Sequence, residues 1–198
     1  MPTASFATTN PRDAPRALYP RLLGSSWLEV AEPVRFVHAS GSTVRARGHL
    51  RIAHGRSRLA RFLARVLRLP RASAAAETRL VITSDADGER WRRTFGDRRL
   101  DTRQYRAGDG DLAERIGILE LRFRLEVSEG GLVFRQRAAA FLWGPVRVPF
   151  PAAWAPTVDA REDAAGRRQV RIHVGVALPA LGPVLTYDGT IEIEEARA

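Results

Sequence analysis

The residues best suited to move a proton or hold a metal near neutral pH are the four histidines, His38, His49, His54 and His173. His49 and His54 lie close together, but a strand end and a turn do not present two ligands on one face, so no metal site is expected. His173 falls on the polar side of an alternating segment. Beside Asp159 or Asp188 it would make a His–carboxylate base. Such a base needs something to activate, and no serine or cysteine stands in a nucleophile motif. No P-loop, dinucleotide-binding glycine pattern or HExxH is present either. The paired carboxylates Asp85/Asp87 and Asp109/Asp111 flank glycines and read as turn residues. No catalytic residue, metal or cofactor is therefore assigned. A binding module is expected rather than an enzyme, with activity left open.

Binding chemistry has more candidates. Arg45, Arg47, His49 and Arg51 alternate along one segment and offer a cationic row to an anionic headgroup. In "FLWGPVRVPFPAAWAP", Phe141, Trp143, Phe150 and Trp154 stand among four prolines. Prolines bar a regular central ladder, so this is an edge strand and an extended loop. Its aromatics form either a local lid on the core or the mouth of an apolar pocket. Tyr187 lies on the apolar side of the last strand and completes the set of candidate ligand-binding residues. "ERWRRTFGDRR" has the mixture of arginine and aromatics that nucleic-acid binding wants. In a strand, however, Trp91, Arg93 and Phe95 share a face and point inward, so nucleic acid is not favoured as a partner.

These residues must be positioned mostly by strands. Val44, Ala46, Gly48, Leu50 and Ile52 alternate with Arg45, Arg47, His49 and Arg51, the period of a half-buried strand. The same period runs through Leu119–Val127, Val170–Leu178 and Leu185–Ile193, with turns at "DADG" and Gly130–Gly131. Before them, Pro15–Val37 reads as short helical pieces broken by Pro20, Gly24 and Pro33. Between the first strands lies "RLARFLARVLRLP". Leu59, Phe62, Leu63, Val66 and Leu67 form one stripe of an amphipathic helix over about 58–69, capped by Ser57 and ended by Pro70. The fold class is mainly β (α+β). A strongly curved antiparallel sheet or β-barrel of roughly eight to ten strands is expected, its apolar face covered by that helix. Residues 1–14 read as a disordered start and 15–198 as a single domain.

The basic residues of the chain are all arginine, and the net charge is +10. From Pro33 to Ala76 no Asp or Glu occurs, whereas acids crowd the later segments, including Glu192 and Glu194. If the first and last strands pair, Arg45, Arg47 and Arg51 face those acids across the ladder. The same charge favours anionic partners: a small anionic or apolar ligand, or a peripheral acidic membrane surface. Absence of cysteine and of a signal-like amino terminus fits a cytoplasmic protein.

The order "ALYPRLLG", "GRSRLARFLARVLRLP", "GERWRRTFG", "LRFRLEVSEGGLVFR", "WGPVRVPFP" and "LPALGPVLTYDGTIE" resembles the bacterial domain-of-unknown-function family numbered 4166, over Leu18 to Glu194. The resemblance carries no catalytic residue. Members of that family occur fused to nicotinamide-cofactor-binding, dehydrogenase-like domains. This implies an alternative role as an accessory domain beside an oxidoreductase partner, with the cofactor belonging to that partner. The leading expectation is a non-enzymatic module for an apolar or amphipathic, lipid-like and possibly anionic ligand.

Overall fold

Alternating apolar residues bury one face of a strand only if something covers that face, and here the sheet covers itself. The computed structural model describes residues 17–38, 43–66, 69–85, 87–151, 153–179 and 181–197. Eleven strands follow one another: β1 (Thr43–His54), β2 (Ser73–Asp85), β3 (Gly88–Phe95), β4 (Arg98–Arg106), β5 (Leu112–Ile116), β6 (Leu119–Ser128), β7 (Gly131–Trp143), β8 (Val146–Pro149), β9 (Thr157–Gly166), β10 (Gln169–Leu178) and β11 (Gly182–Arg197). Each pairs antiparallel with its neighbours, and β6–β7 pairing closes the ring. Ten strands form the barrel wall. The edge of β7 is shared: Leu132–Arg135 pair with β9, and Ala140–Trp143 pair with the short β8. Closure leaves no long unpaired edge, which removes a template for aggregation.

The chain's first and last strands meet at a seam. β1 pairs with β11 along its length, setting Arg47 opposite Glu192 and Arg51 opposite Asp188, and Arg47 Nε reaches Glu194 Oε1 at 2.8 Å. The cross-strand charge pairing read from the sequence is thus present on the outer wall. Two glycines allow the strands to approach there. A Cβ on Gly48 would collide with the Thr190 carbonyl, and Gly189, at φ +153°, faces the His49 carbonyl just as closely.

Inside the wall lie Val44, Leu50, Ile82, Phe123, Leu132 and Ile191, all nearly inaccessible. Each such side chain contributes about 1.5–3 kcal/mol through burial. The β6–β7 hairpin closes on a two-residue turn, Glu129 (φ +54°) and Gly130 (φ +78°), which matches the twist of the strands. The glycine pair was expected to fill those positions. Instead the turn lies one residue earlier and places a glutamate in the left-handed region.

Three short helical pieces precede the barrel: α1 (Leu18–Leu23), a 3-10 turn (Gly24–Glu29) and α2 (Glu32–Val37). They enter the barrel at the end where the β2–β3, β4–β5 and β6–β7 turns lie. Tyr19 and Val34 are fully buried, and the Ala31 amide donates to the Gly130 carbonyl at 2.8 Å. This segment plugs the barrel, a role expected of the later helix.

That later helix, α3 (Arg58–Val66), sits at the opposite end against β1 and β11. Ser57 Oγ accepts from the Ala60 amide at 3.0 Å, as a cap should. Its contact differs from the expected apolar stripe. Ala60 and Ala64 are buried, whereas Leu59 is 50% and Phe62 59% exposed. Close approach demands small residues: a Cβ built on Gly55 would already stand 3.0 Å from the Ala60 Cβ. Leu63, Val66 and Leu67 lie outside the described side chains, as does the 1–14 segment.

Candidate functional site

The barrel interior at the α1–α2 end is polar. Alternation on β3 turns Glu89, Trp91, Arg93 and Phe95 inward, and alternation on β4 does the same for Thr102 and Gln104. Glu114 of β5 and Glu162 of β9 complete the lining. Into it project Tyr19 and His38 from the plug. Tyr19 Oη donates to Gln104 Oε1 at 2.7 Å, and its ring lies 3.6 Å from the His38 ring, centre to centre. His38 Nε2 lies 2.8 Å from Glu162 Oε2, and its Nδ1 is 3.9 Å from Glu89 Oε2, a Coulombic contact beyond hydrogen-bond range. The indole of Trp91 donates to Glu89 at 2.9 Å. Arg93 donates to Thr102 at 2.9 Å and to Glu114 at 3.1 Å, and its guanidinium carbon stands 4.5 Å from the centre of the Trp91 ring.

Electrostatics make His38 a cation. Burial by itself lowers an imidazole's affinity for a proton, but Glu162 and Glu89 outweigh it and raise the pKa to about 9. Burial likewise pushes the Tyr19 phenol well above its ordinary value, and the neighbouring carboxylates push it further. Tyr187 of β11, stacked 5.3 Å from Phe95, is raised to about 12, chiefly by burial. The described interior therefore sets three carboxylates, Glu89, Glu114 and Glu162, against His38 and Arg93. The two cavities described at this end touch none of His38, Glu89 and Glu162. The cluster is buried and pins the plug to the wall.

A further buried carboxylate lies outside the wall. Glu120 accepts from Arg122 Nε at 3.0 Å, from Arg147 Nε at 2.7 Å and from the Tyr105 hydroxyl, so β4, β6 and β8 are buckled together. Burial opposes the charge, yet those hydrogen bonds hold the carboxyl below its usual range.

Beside the plug, α1 and the β3–β5 ends border an open cavity of about 480 Å³, lined by Leu18, Arg21, Asp87, Arg103, Tyr105, Arg106 and Arg115, with Gly88 at its wall. Arg103 is committed to Asp85 by two hydrogen bonds of 2.8 and 2.9 Å. Among the described residues no carboxylate lies within 4.0 Å of Arg21, Arg106 or Arg115. A neighbouring cavity of about 260 Å³ has its cation, Arg124, already beside Asp111 at 3.5 Å.

The residues singled out from the sequence do not converge on one site, although pairs of them meet. Arg45, Arg47, His49 and Arg51 lie on the outer wall of β1. Phe141 and Phe150 stack at 4.1 Å between ring centres, with Phe150 packed on the core. Trp143 and Trp154 are 84% and 70% exposed at the α3 end, and Tyr187 is inside. His173 stands opposite Asp188 in the β10–β11 ladder, with Asp159 on the neighbouring β9, and all three are exposed on the outer face. His54 Nε2 donates to the Pro70 carbonyl at 2.7 Å. Asp85 and Asp109 cap the amides of Asp87 and Asp111, the turn chemistry expected of both pairs. No group able to hold a metal occurs among the described residues. Arg21, Arg106 and Arg115 escaped sequence reasoning because they belong to three separate elements.

A family model described as "Domain of unknown function (DUF4166)" matches residues 30–191. The chain belongs to the DUF4166 family. A comparison with curated proteins finds no match. The DUF4166 match spans the barrel from the last turn before α2 to the inner part of β11, so both the His38 pin and the strand side of the cavity fall within it. Leu18 and Arg21 precede it.

Proposed function

We propose that this DUF4166 barrel is a non-enzymatic binding module for a compact, amphipathic anion. The observation that carries the reading is the convergence of Arg21, Arg106 and Arg115 on one cavity without a carboxylate partner among the described residues. Guanidinium groups are forks for carboxylate and phosphate oxygens. At about 480 Å³ the cavity is of the size that small-molecule sites have, and Leu18, the Tyr105 ring and the arginine stems supply apolar wall. The barrel's axis is filled at this end by the plug, which favours a ligand at the rim over a lipid tail threaded down the interior.

A thermal-shift series on the purified chain tests this. Organic phosphates and carboxylates should raise the melting temperature, and uncharged analogues of the same shape should not. Arg106→Ser and Arg115→Ser should each abolish the shift while leaving the ligand-free melting temperature nearly unchanged. A flat response to the whole anion series would sink the reading.

A further inference from the structure

We propose that the α3 end of the barrel docks on an anionic lipid bilayer. The large apolar side chains left exposed are distributed unequally between the two ends. Leu59 and Phe62 of α3, Ile118 of the β5–β6 turn, Trp143 and Val146 of the β7–β8 hairpin, and Trp154 of the following loop all lie at this end. At the plugged end the corresponding residues are Leu28 and Phe36. The strand order puts the β1–β2 and β7–β8 connections on different sides of the ring, so the exposed groups surround the barrel mouth and do not form one groove. A broad, roughly planar surface fits that distribution better than a peptide or a single helix would.

Charge follows the same axis. The connection 55–72 carries Arg56, Arg58, Arg61, Arg65, Arg68 and Arg71 and no acid; 143–156 carries Arg147 and no acid; 117–118 and 179–181 are uncharged. The one acid in the connections at this end is Asp97 of the β3–β4 turn, already 3.2 Å from Arg71. Arg56, Arg58, Arg61 and Arg65 are exposed, with no carboxylate within 4.0 Å among the described residues. The opposite end holds Asp85, Asp87, Asp109, Asp111 and Glu129 at or beside its turns, together with Arg167 and Arg168 of the β9–β10 turn. The two ends thus differ: apolar and cationic at one, mixed in charge at the other. Tryptophans at the level of the headgroups, arginines on the phosphates and a short amphipathic helix are what interfacial binding uses. No helix among the described residues is long and apolar enough to cross a membrane.

Sedimentation of the full chain with vesicles tests the proposal, using equal parts phosphatidylcholine and phosphatidylglycerol against phosphatidylcholine alone. Binding to the anionic vesicles only, weakening as salt rises and accompanied by a blue shift of tryptophan emission, is expected. The triple variant R58S/R61S/R65S should bind about 100-fold more weakly, at roughly 5-fold per arginine. Trp143→Ser with Trp154→Ser should lose the blue shift. R167S/R171S, away from this end, should bind as the parent does, and circular dichroism melts verify that each variant folds. The proposal is overturned if anionic vesicles capture no protein at low salt, or if the triple variant binds as tightly as the parent. It also fails if the chain is a dimer that shields Trp143 and Trp154 from a soluble quencher, since a second copy would then be the occupant.

Discussion

His38 Nε2 and Glu162 Oε2 stand 2.8 Å apart inside the barrel, joining α2 of the plug to β9 of the wall. Glu89, on β3, faces the other ring nitrogen at 3.9 Å. One imidazolium therefore ties the amino-terminal segment to two sides of the ring. The stability of the plugged barrel depends on its protonation.

The pH dependence follows from the sign of the shift. The folded pKa is about 9 against an ordinary 6.5, so the contribution of His38 is fully present below pH 6.5 and declines as pH rises through about 9. In that interval the folded chain holds a proton that the unfolded chain has lost. At about 1.4 kcal/mol per pH unit, the loss is on the order of 3 kcal/mol. Urea melts from pH 6 to pH 10, as ~1-unit steps, should show this decline, and His38→Gln should flatten it. An unchanged slope in His38→Gln would remove the imidazolium from the account.

Breaking the pair should cost more than deleting it. Glu162→Gln leaves a buried cation short of its partner and should destabilise by about 3–5 kcal/mol. His38→Leu combined with Glu162→Leu removes both charges and should recover much of that loss. A double-mutant cycle by denaturant unfolding measures the coupling, and additive effects would contradict it.

The outer buckle behaves oppositely with pH. The carboxyl of Glu120 is held below its usual range, so its contribution is present above the unfolded carboxyl pKa and lost as pH falls through the folded value. Glu120→Ala strips Arg122 and Arg147 of a shared acceptor and should cost about 2–3 kcal/mol near neutral pH, with a smaller difference from the parent in acid. Equal differences at both pH values would show that packing and not charge is lost.

At the seam, Gly48→Ala should destabilise by roughly 1–3 kcal/mol, because the added methyl meets the Thr190 carbonyl and one strand must move. Arg47→Ala, which removes only the exposed pair with Glu194, should cost under about 0.5 kcal/mol. Thermal melts of the two variants compare close backbone approach with surface charge as the determinant of closure.

Much of this architecture is legible in the alternation of residues. Val44–Ile52 against Arg45–Arg51 names the faces of β1, and the arginine row against Glu192 and Glu194 points to the seam that closes the ring. Trp91, Arg93 and Phe95 share an inward face, and Glu89 belongs to that same face by the same period, a signal for the buried cluster that the aromatic neighbours obscured. His38 carries no such signal: its partners are far off in sequence, and nothing local marks it as buried. Hydrophobicity also misassigned the contact face of α3, because Leu59 and Phe62 outweigh Ala60 and Ala64 in any apolar count while only the small residues fit against β1 and β11. The anion cavity is illegible for a related reason. Arg21, Arg106 and Arg115 stand out from the chain's other arginines through meeting at one cavity from three separate elements, which is a property of the folded arrangement.

The most direct measurement of the central claim is native mass spectrometry of the purified chain, before and after denaturation. The account predicts a folded species heavier than the polypeptide by one small anionic molecule, released on unfolding and missing from the Arg106→Ser, Arg115→Ser double variant. A folded parent at the bare polypeptide mass that also takes up none of the organic phosphates or carboxylates when they are added in excess would contradict it.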